Sequence, residues 1–370
     1  MKIVCSKSEL MKGVNIVSKA VPVRTTMPIL ECILIDASAD TIRLTANDME
    51  LGIETTVEGR IEQRGKIALN ARIFSDIVRK LPDNEVTIET GTAMQTGIYC
   101  EQAYFTIVGK DGDDFSYLPY VEKKDGIIIS QFNLKEVIKQ TIFSIADSDN
   151  NKIMTGELFD IREDNLKVVS LDGHRISIRN LQLGKNYENR QVIVPGKTLQ
   201  EISKILTGEI DQMAEIYTTE NHILFEFGQT IVVSRLIEGK YFQIDHMLSS
   251  DYETKIVINK RQLLDCIDRA SLLVNESDKK PIIMNIVDNN MALMIHSMIG
   301  SMNEDIEIEK EGRDLKIGFN PKFFMDALRV IDDEEVNLYM INPKAPCFIK
   351  DDAGSYIYLI LPVNFNEADY

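Results

Sequence analysis

The sequence predicts an α+β chain made of three copies of one module, each with two helices and several antiparallel strands. Three observations predict it. An apolar strand, a polar step and a helix recur in that order at residues 2–21 (KIVCSKSELMKGVNIVSKAV), 127–146 (IIISQFNLKEVIKQTIFSIA) and 255–274 (KIVINKRQLLDCIDRASLLV). A second strand–turn–helix triple follows at 65–81, 190–206 and 314–331, where Phe74, Leu199 and Phe324 fall 125 residues apart. Alternating strands lie between the paired helices: TIRLTAND (41–48), LKVVSLDG (166–173) and ALMIHSMI (292–299).

These elements divide the chain into modules at 1–122, 127–249 and 254–370, with KKDG (123–126) and SSDYET (249–254) as polar, turn-prone linkers. At 370 residues there is enough chain for each module to carry its own core. In the first helix of the third copy, Leu263, Leu264, Ile267 and Ser271 share one side at helical spacing. In the second triple, each strand meets its helix at a turn holding Asn, Pro or Gly.

Composition removes several classes. Apolar residues make up 44% and charged ones 27%, and no run of about 18 apolar residues would span a bilayer. The N-terminus MKIVCSKSEL lacks the apolar core of a signal peptide, so a cytoplasmic location is expected. Five dispersed cysteines without a CxxC pair argue against disulfides and zinc, and the four histidines form no ligand motif. No metal and no cofactor are expected.

A net charge of −17 superficially argues against nucleic acid. The charge is segregated, however. Over the six predicted helices the tally is +8, which leaves −25 for the strands and loops. Lys and Arg are good helix formers, but Glu is equally good and scarce in these windows. Six positive helices on one face would attract phosphate without base reading.

The stretch VSLDGHRISI (169–178) raises an alternative, a phosphoester hydrolase centred on Asp172, His174 and Arg175. No second His/Asp/Glu cluster is recognisable beside it. The corresponding first-copy turn, LTANDMELGI (44–53), keeps an Asp but neither His nor Arg, so folding does not require them. The third copy, MIHSMIGSMN (294–303), corresponds more loosely. Another alternative is a scaffold that never touches DNA.

Taken together and in order, LDGHR (171–175), VIVPGK (192–197), PIL (28–30), the ND of LTAND (44–48) and YLILPV (358–363) resemble the bacterial DNA polymerase sliding clamps, the beta subunits of DNA polymerase III. The resemblance covers the whole chain. It implies the DNA clamp fold: a head-to-tail homodimer closing a ring, with helices inside and sheets outside. Such a ring encircles double-stranded DNA without sequence preference and tethers the replicative polymerase. An ATP-dependent clamp loader opens it, and the clamp itself performs no chemistry. The implied location is cytoplasmic, at the nucleoid.

The resemblance also implies sites. DNA would be faced by Lys12, Arg24, Arg72, Arg79, Lys80, Lys139, Lys152, Lys197 and Lys204. The dimer interface would set Phe74, Phe105 and Ile107 against Leu272 and Leu273, with Glu304 and Glu307 nearby. Polymerase, clamp loader and repair proteins would insert short peptides into a cleft. One wall would be Met154, Leu171, Gly173, His174, Arg175 and Ile176; the other Phe242, His246, Met247, Pro346, Leu359, Ile360, Leu361, Pro362 and Val363. The sequence departs from the family's pattern in four places. ADSDNNK (146–152) is acidic, Gln102, Ala103 and Tyr104 replace arginines near Phe105, Phe242 replaces a proline, and the tail NFNEADY (364–370) is long and acidic.

Overall fold

The polar step before each helix is, in five cases of six, a side chain that caps it. Ser6 accepts from Glu9 N and opens α1 (Lys7–Val17); Asn70 accepts from Ile73 N and opens α2 (Ala71–Lys80). Ser130 accepts from Asn133 N in α3 (Gln131–Thr141). Asn259 and Asn320 cap α5 (Lys260–Ser271) and α6 (Pro321–Leu328). Each cap satisfies an amide that the helix leaves unpaired and contributes about 1 kcal/mol. The remaining helix, α4 (Gly196–Ile205), starts on Gly196, where a Cβ would lie 2.3 Å from Ile145 Cδ1. A Cβ would also lie 2.9 Å from Thr155 O, so any larger residue would have to shift the backbone.

The computed structural model describes residues 1–147, 149–248, 251–274 and 280–366. They form two compact units, residues 1–135 with 197–236, and residues 136–196 with 237–370. The first unit holds two antiparallel sheets. One runs in the order Arg60–Gln63, Lys2–Ser6, Glu85–Thr90, Gln95–Cys100, Ala103–Val108. The other has nine strands and crosses from the first repeat into the second where Leu51–Val57 pairs with Thr230–Arg235, Ile53 opposite Val232.

The second unit holds a seven-stranded and a four-stranded sheet. In the larger, Arg175–Pro195 of the second repeat pairs with Tyr356–Ile360 of the third, Ile176 opposite Leu359. Ladder hydrogen bonds thus run across both repeat boundaries, and the second repeat is shared between the units. The predicted strand 166–173 is the end of a longer one, Gly156–Leu171.

Phe74, Leu199 and Phe324 are each wholly buried. Their 125-residue spacing marks a repeated core position, which corrects the placing of Phe74 at a dimer interface. In α5 the buried face is Leu263, Cys266, Ile267 and Ala270; Leu264 and Ser271 lie at its margin. The other correction concerns charge. In α6, Lys322 and Asp326 cancel, and Arg329 falls on the C-cap, so five helices are net positive as formed and α6 is neutral. All five cysteines are free and buried. No described helix is long and apolar enough to cross a membrane.

Candidate functional site

The turn at 172–175 is built by its aspartate. Asp172 Oδ1 accepts from His174 N (2.9 Å) and Arg175 N (3.1 Å), and Oδ2 accepts from Arg175 Nε (3.0 Å). Gly173 adopts φ 88°, and a side chain there would meet no atom within 4 Å. The first repeat makes the same turn. Asp48 Oδ1 accepts from Glu50 N and Leu51 N, and Met49 takes φ 76°. In the third repeat Ser297 takes this place, its hydroxyl accepting from Ile299 N.

Arg175 is buried and spent on structure. Its Nη1 donates to Asp326 Oδ2 at 2.7 Å, its Nη2 to Phe143 O, and the guanidinium lies 4.5 Å from the Phe323 ring centre. Two expectations are corrected by this geometry. Arg175 is a strut of the second repeat, against the expectation from the first copy that folding does not require it. The hydrolase reading fails because both carboxylate oxygens of Asp172 serve the turn, and the guanidinium of Arg175 is taken up by Asp172, Asp326 and Phe143 O. His174 is exposed beside them, its ring stacked on Phe323 at 6.2 Å.

Around this turn the predicted cleft residues separate into floor and rim. Leu171, Ile176 and Leu359 are buried in one apolar cluster with Ile244, Tyr339 and Phe348, against which Met154 and Phe242 pack. Leu361 N donates to His174 O at 2.9 Å and the Leu361 side chain is exposed. His246 and Met247 stand exposed in the 3-10 turn Asp245–Met247, and Pro346 and Pro362 are half-buried. Val363 is tied elsewhere, donating to Gly318 O. Ile360 is a correction: it belongs to the third repeat's core, because alternate residues of Tyr356–Ile360 point to opposite faces. Residues 364–366 of the acidic tail are described; 367–370 lie outside the described residues.

Tyr241, Ile244, Tyr339 and Phe348 also belong to or pack on this cluster and were not anticipated. The cross-strand pairing of Phe348 with Leu359 selects one of them, a relation fixed by register. Beside the cluster lies Glu157, wholly buried with neither carboxylate oxygen hydrogen-bonded. Burial drives its carboxyl well above the usual range, against an opposing influence of the nearby Thr141 hydroxyl, which itself donates to Val137 O; Glu157 in turn helps to raise the Tyr241 phenol.

The cations form more than one group. In the first unit an open groove is lined by Lys7, Lys12 and Lys19 of the α1 region and Lys204 of α4, with Asp83 as its one acid. Ser8, Met11, Asn15 and Ile16 share this face, opposite buried Leu10, Val14 and Val17. Lys12 and Lys204 were expected here. Lys7 and Lys19 were missed, although Lys19 follows Lys12 by seven residues, two helical turns. Arg24 and Arg72 are exposed in the same unit, as is Lys197, whose ammonium pairs with Asp48. In the second unit Lys139 pairs with Glu136, and Lys152 is exposed in the 3-10 segment Asp149–Thr155.

Arg79 and Lys80 sit apart from the lysine groove. They line a second groove with Ile73, Asp76, Ile77 and Phe105, and Arg79 pairs with Asp76. Phe105, exposed, and Ile107, partly exposed, lie on Ala103–Val108, an unpaired edge of its sheet. In the second unit Ser301–Glu307 is likewise an edge strand, carrying Glu304 and Glu307. Glu304 is held by Arg269. Leu272 is 78% exposed just beyond α5, and Leu273 packs partly on the core.

Three family models match the chain in order: the DNA polymerase III beta subunit N-terminal domain over residues 1–119, its central domain over 128–243 and its C-terminal domain over 246–364. Beta sliding clamps of Staphylococcus epidermidis and Staphylococcus aureus are 35% and 36% identical to it, each alignment covering 98% of this chain and 99% of the relative. A solved Eubacterium rectale structure described as a DNA polymerase III beta subunit superposes with a TM-score of 0.96 at 72% identity, covering 99% of this chain and 100% of that one. The DNA polymerase sliding clamp of Bacillus subtilis superposes equally well, TM-score 0.96 at 34% identity, with the same coverage. The three-domain α+β architecture is that of these clamps, and the chain belongs to the DNA polymerase III beta subunit family, the beta sliding clamps.

Proposed function

We propose that this chain is a DNA sliding clamp, which tethers the replicative polymerase to duplex DNA by topology and makes or breaks no bond. The observation that carries this reading is the lysine groove on the helical surface of the first unit, four lysines against one aspartate in a chain of net charge −17. Lysines that meet phosphates as point charges hold DNA without reading bases, which is what sliding requires.

In this reading three modules, 1–122, 127–249 and 254–370, pair head to tail with a second chain to close the ring. The two open edge strands, Ala103–Val108 and Ser301–Glu307, support that pairing, since each offers unpaired backbone groups to a partner strand. Short peptides of the polymerase, the ATP-dependent loader and repair proteins dock on the rim formed by Gly173, His174, Met247 and Leu361 above the apolar floor. An apolar pocket with few polar groups suits such ligands. The working location is the cytoplasm, at the nucleoid.

The test is topological. Loaded protein stays on nicked circular DNA and runs off once the circle is linearised. Equal retention on both forms refutes the reading.

A further inference from the structure

We propose that Asp48 is an internal stand-in for phosphate, holding Lys197 in an ion pair that DNA must displace. The inference rests on the reading that Lys197 faces duplex DNA. Lys197 lies in the first turn of α4, 63% exposed, and its Nζ donates to Asp48 Oδ2 across 149 positions of sequence.

The other paired cations of the expected DNA set differ in kind. Arg79, Lys139 and Lys204 each meet an acid three residues earlier on the same helix, Asp76, Glu136 and Glu201. Solvated pairs of that sort are weak and re-form freely. Asp48 is 9% exposed, and its Oδ1 is fixed by Glu50 N and Leu51 N at 3.0 and 2.7 Å. A carboxylate so held is a preorganised partner for an ammonium.

The second repeat shows what the turn looks like without this device. Asp172 makes the same two backbone bonds, but its Oδ2 takes Nε of Arg175, a buried residue of its own turn. In the first repeat Leu51 stands at the corresponding place and supplies no cation, so the carboxylate recruits Lys197 from α4. The first pair therefore has an accessible half and the second does not. When a phosphate takes Nζ, Asp48 keeps its two N–H donors and is not stranded, which lowers the cost of the exchange. Lys197 thus contributes to DNA binding only the difference between phosphate and Asp48.

The test uses the full chain and a short, open-ended fluorescent duplex at low salt. Asp48→Asn keeps the Oδ1 acceptor and removes the charge. It should bind about threefold to tenfold tighter than wild type, while Lys197→Ala binds more weakly. The gain should vanish in Asp48→Asn combined with Lys197→Ala, which separates this effect from a general loss of negative charge. An Asp48→Asn protein with an unchanged melting curve and no gain overturns the proposal, as does a gain that survives without Lys197. If Asp48→Asn does not fold, Asp48→Ser is judged by the same outcomes. Wild type that binds no duplex and is indifferent to Lys197→Ala overturns the DNA reading itself, and this proposal with it.

Discussion

Arg175 and Asp326 meet at 2.7 Å across 151 residues, joining the turn after Gly156–Leu171 to helix α6. The guanidinium is buried and also serves Asp172 and Phe143 O, so its loss leaves several polar groups unsatisfied at once. Arg175→Ala should cost about 3 kcal/mol of unfolding free energy in denaturant titration. Arg175→Lys recovers little, because a single ammonium cannot reach all three partners. A loss under 1 kcal/mol would show that the network is ornamental.

Floor and rim of the cleft should respond differently. Leu359→Ala removes a buried side chain and should cost about 2–5 kcal/mol. Leu361→Ala should leave stability unchanged and weaken a bound polymerase peptide about tenfold, or 1.4 kcal/mol. Calorimetry with one peptide and thermal melts on both variants decide the matter. Removing residues 359–370 would not make this distinction, since it takes away a strand end paired with Arg175 and Ile176.

Glu157 predicts a pH dependence. Its folded carboxyl is raised by burial, so the native state holds a proton that the unfolded chain releases above the ordinary carboxyl range, near 4.5. Stability contributed by this group is greatest below that range and falls as pH rises toward the raised folded value. Glu157→Gln should remove that decline, so its advantage over wild type grows from pH 5 to pH 8 in denaturant melts. A constant offset across that interval refutes the assignment.

The lysine groove predicts salt behaviour. Lys12→Ala and Lys204→Ala should each weaken duplex binding irrespective of sequence and flatten the log–log salt slope by about 0.9. Lys19→Ala, at a position found only in the folded groove, should do the same. Unchanged slopes would place the DNA elsewhere.

Leu272 and Phe105 predict the assembly. Leu272→Asp or Phe105→Asp should convert dimer to monomer in sedimentation velocity without lowering the melting temperature, since neither side chain is in a core. Phe74→Asp should instead unfold the first unit, because Phe74 is wholly buried. A dimer surviving both surface changes would exclude these edges as the contact.

The sequence by itself determined the repeat, the six helices and the polar steps before them, because those depend on local chemistry: a polar or turn residue before an amphipathic run, and apolar residues at helical spacing. It also separated LDGHR from its two sister turns, since the aspartate needed for the turn is shared by two copies and the histidine is not. What only the tertiary structure decided was the job of each side chain once distant strands came together. Phe74 went to the core, Ile360 to the opposite face from Leu359, and Arg175 inward to Asp326. The pairing of Lys197 with Asp48 likewise joins residues 149 positions apart. Register and ion-pair geometry are properties of neighbours in space, and residue type alone does not specify which neighbour arrives.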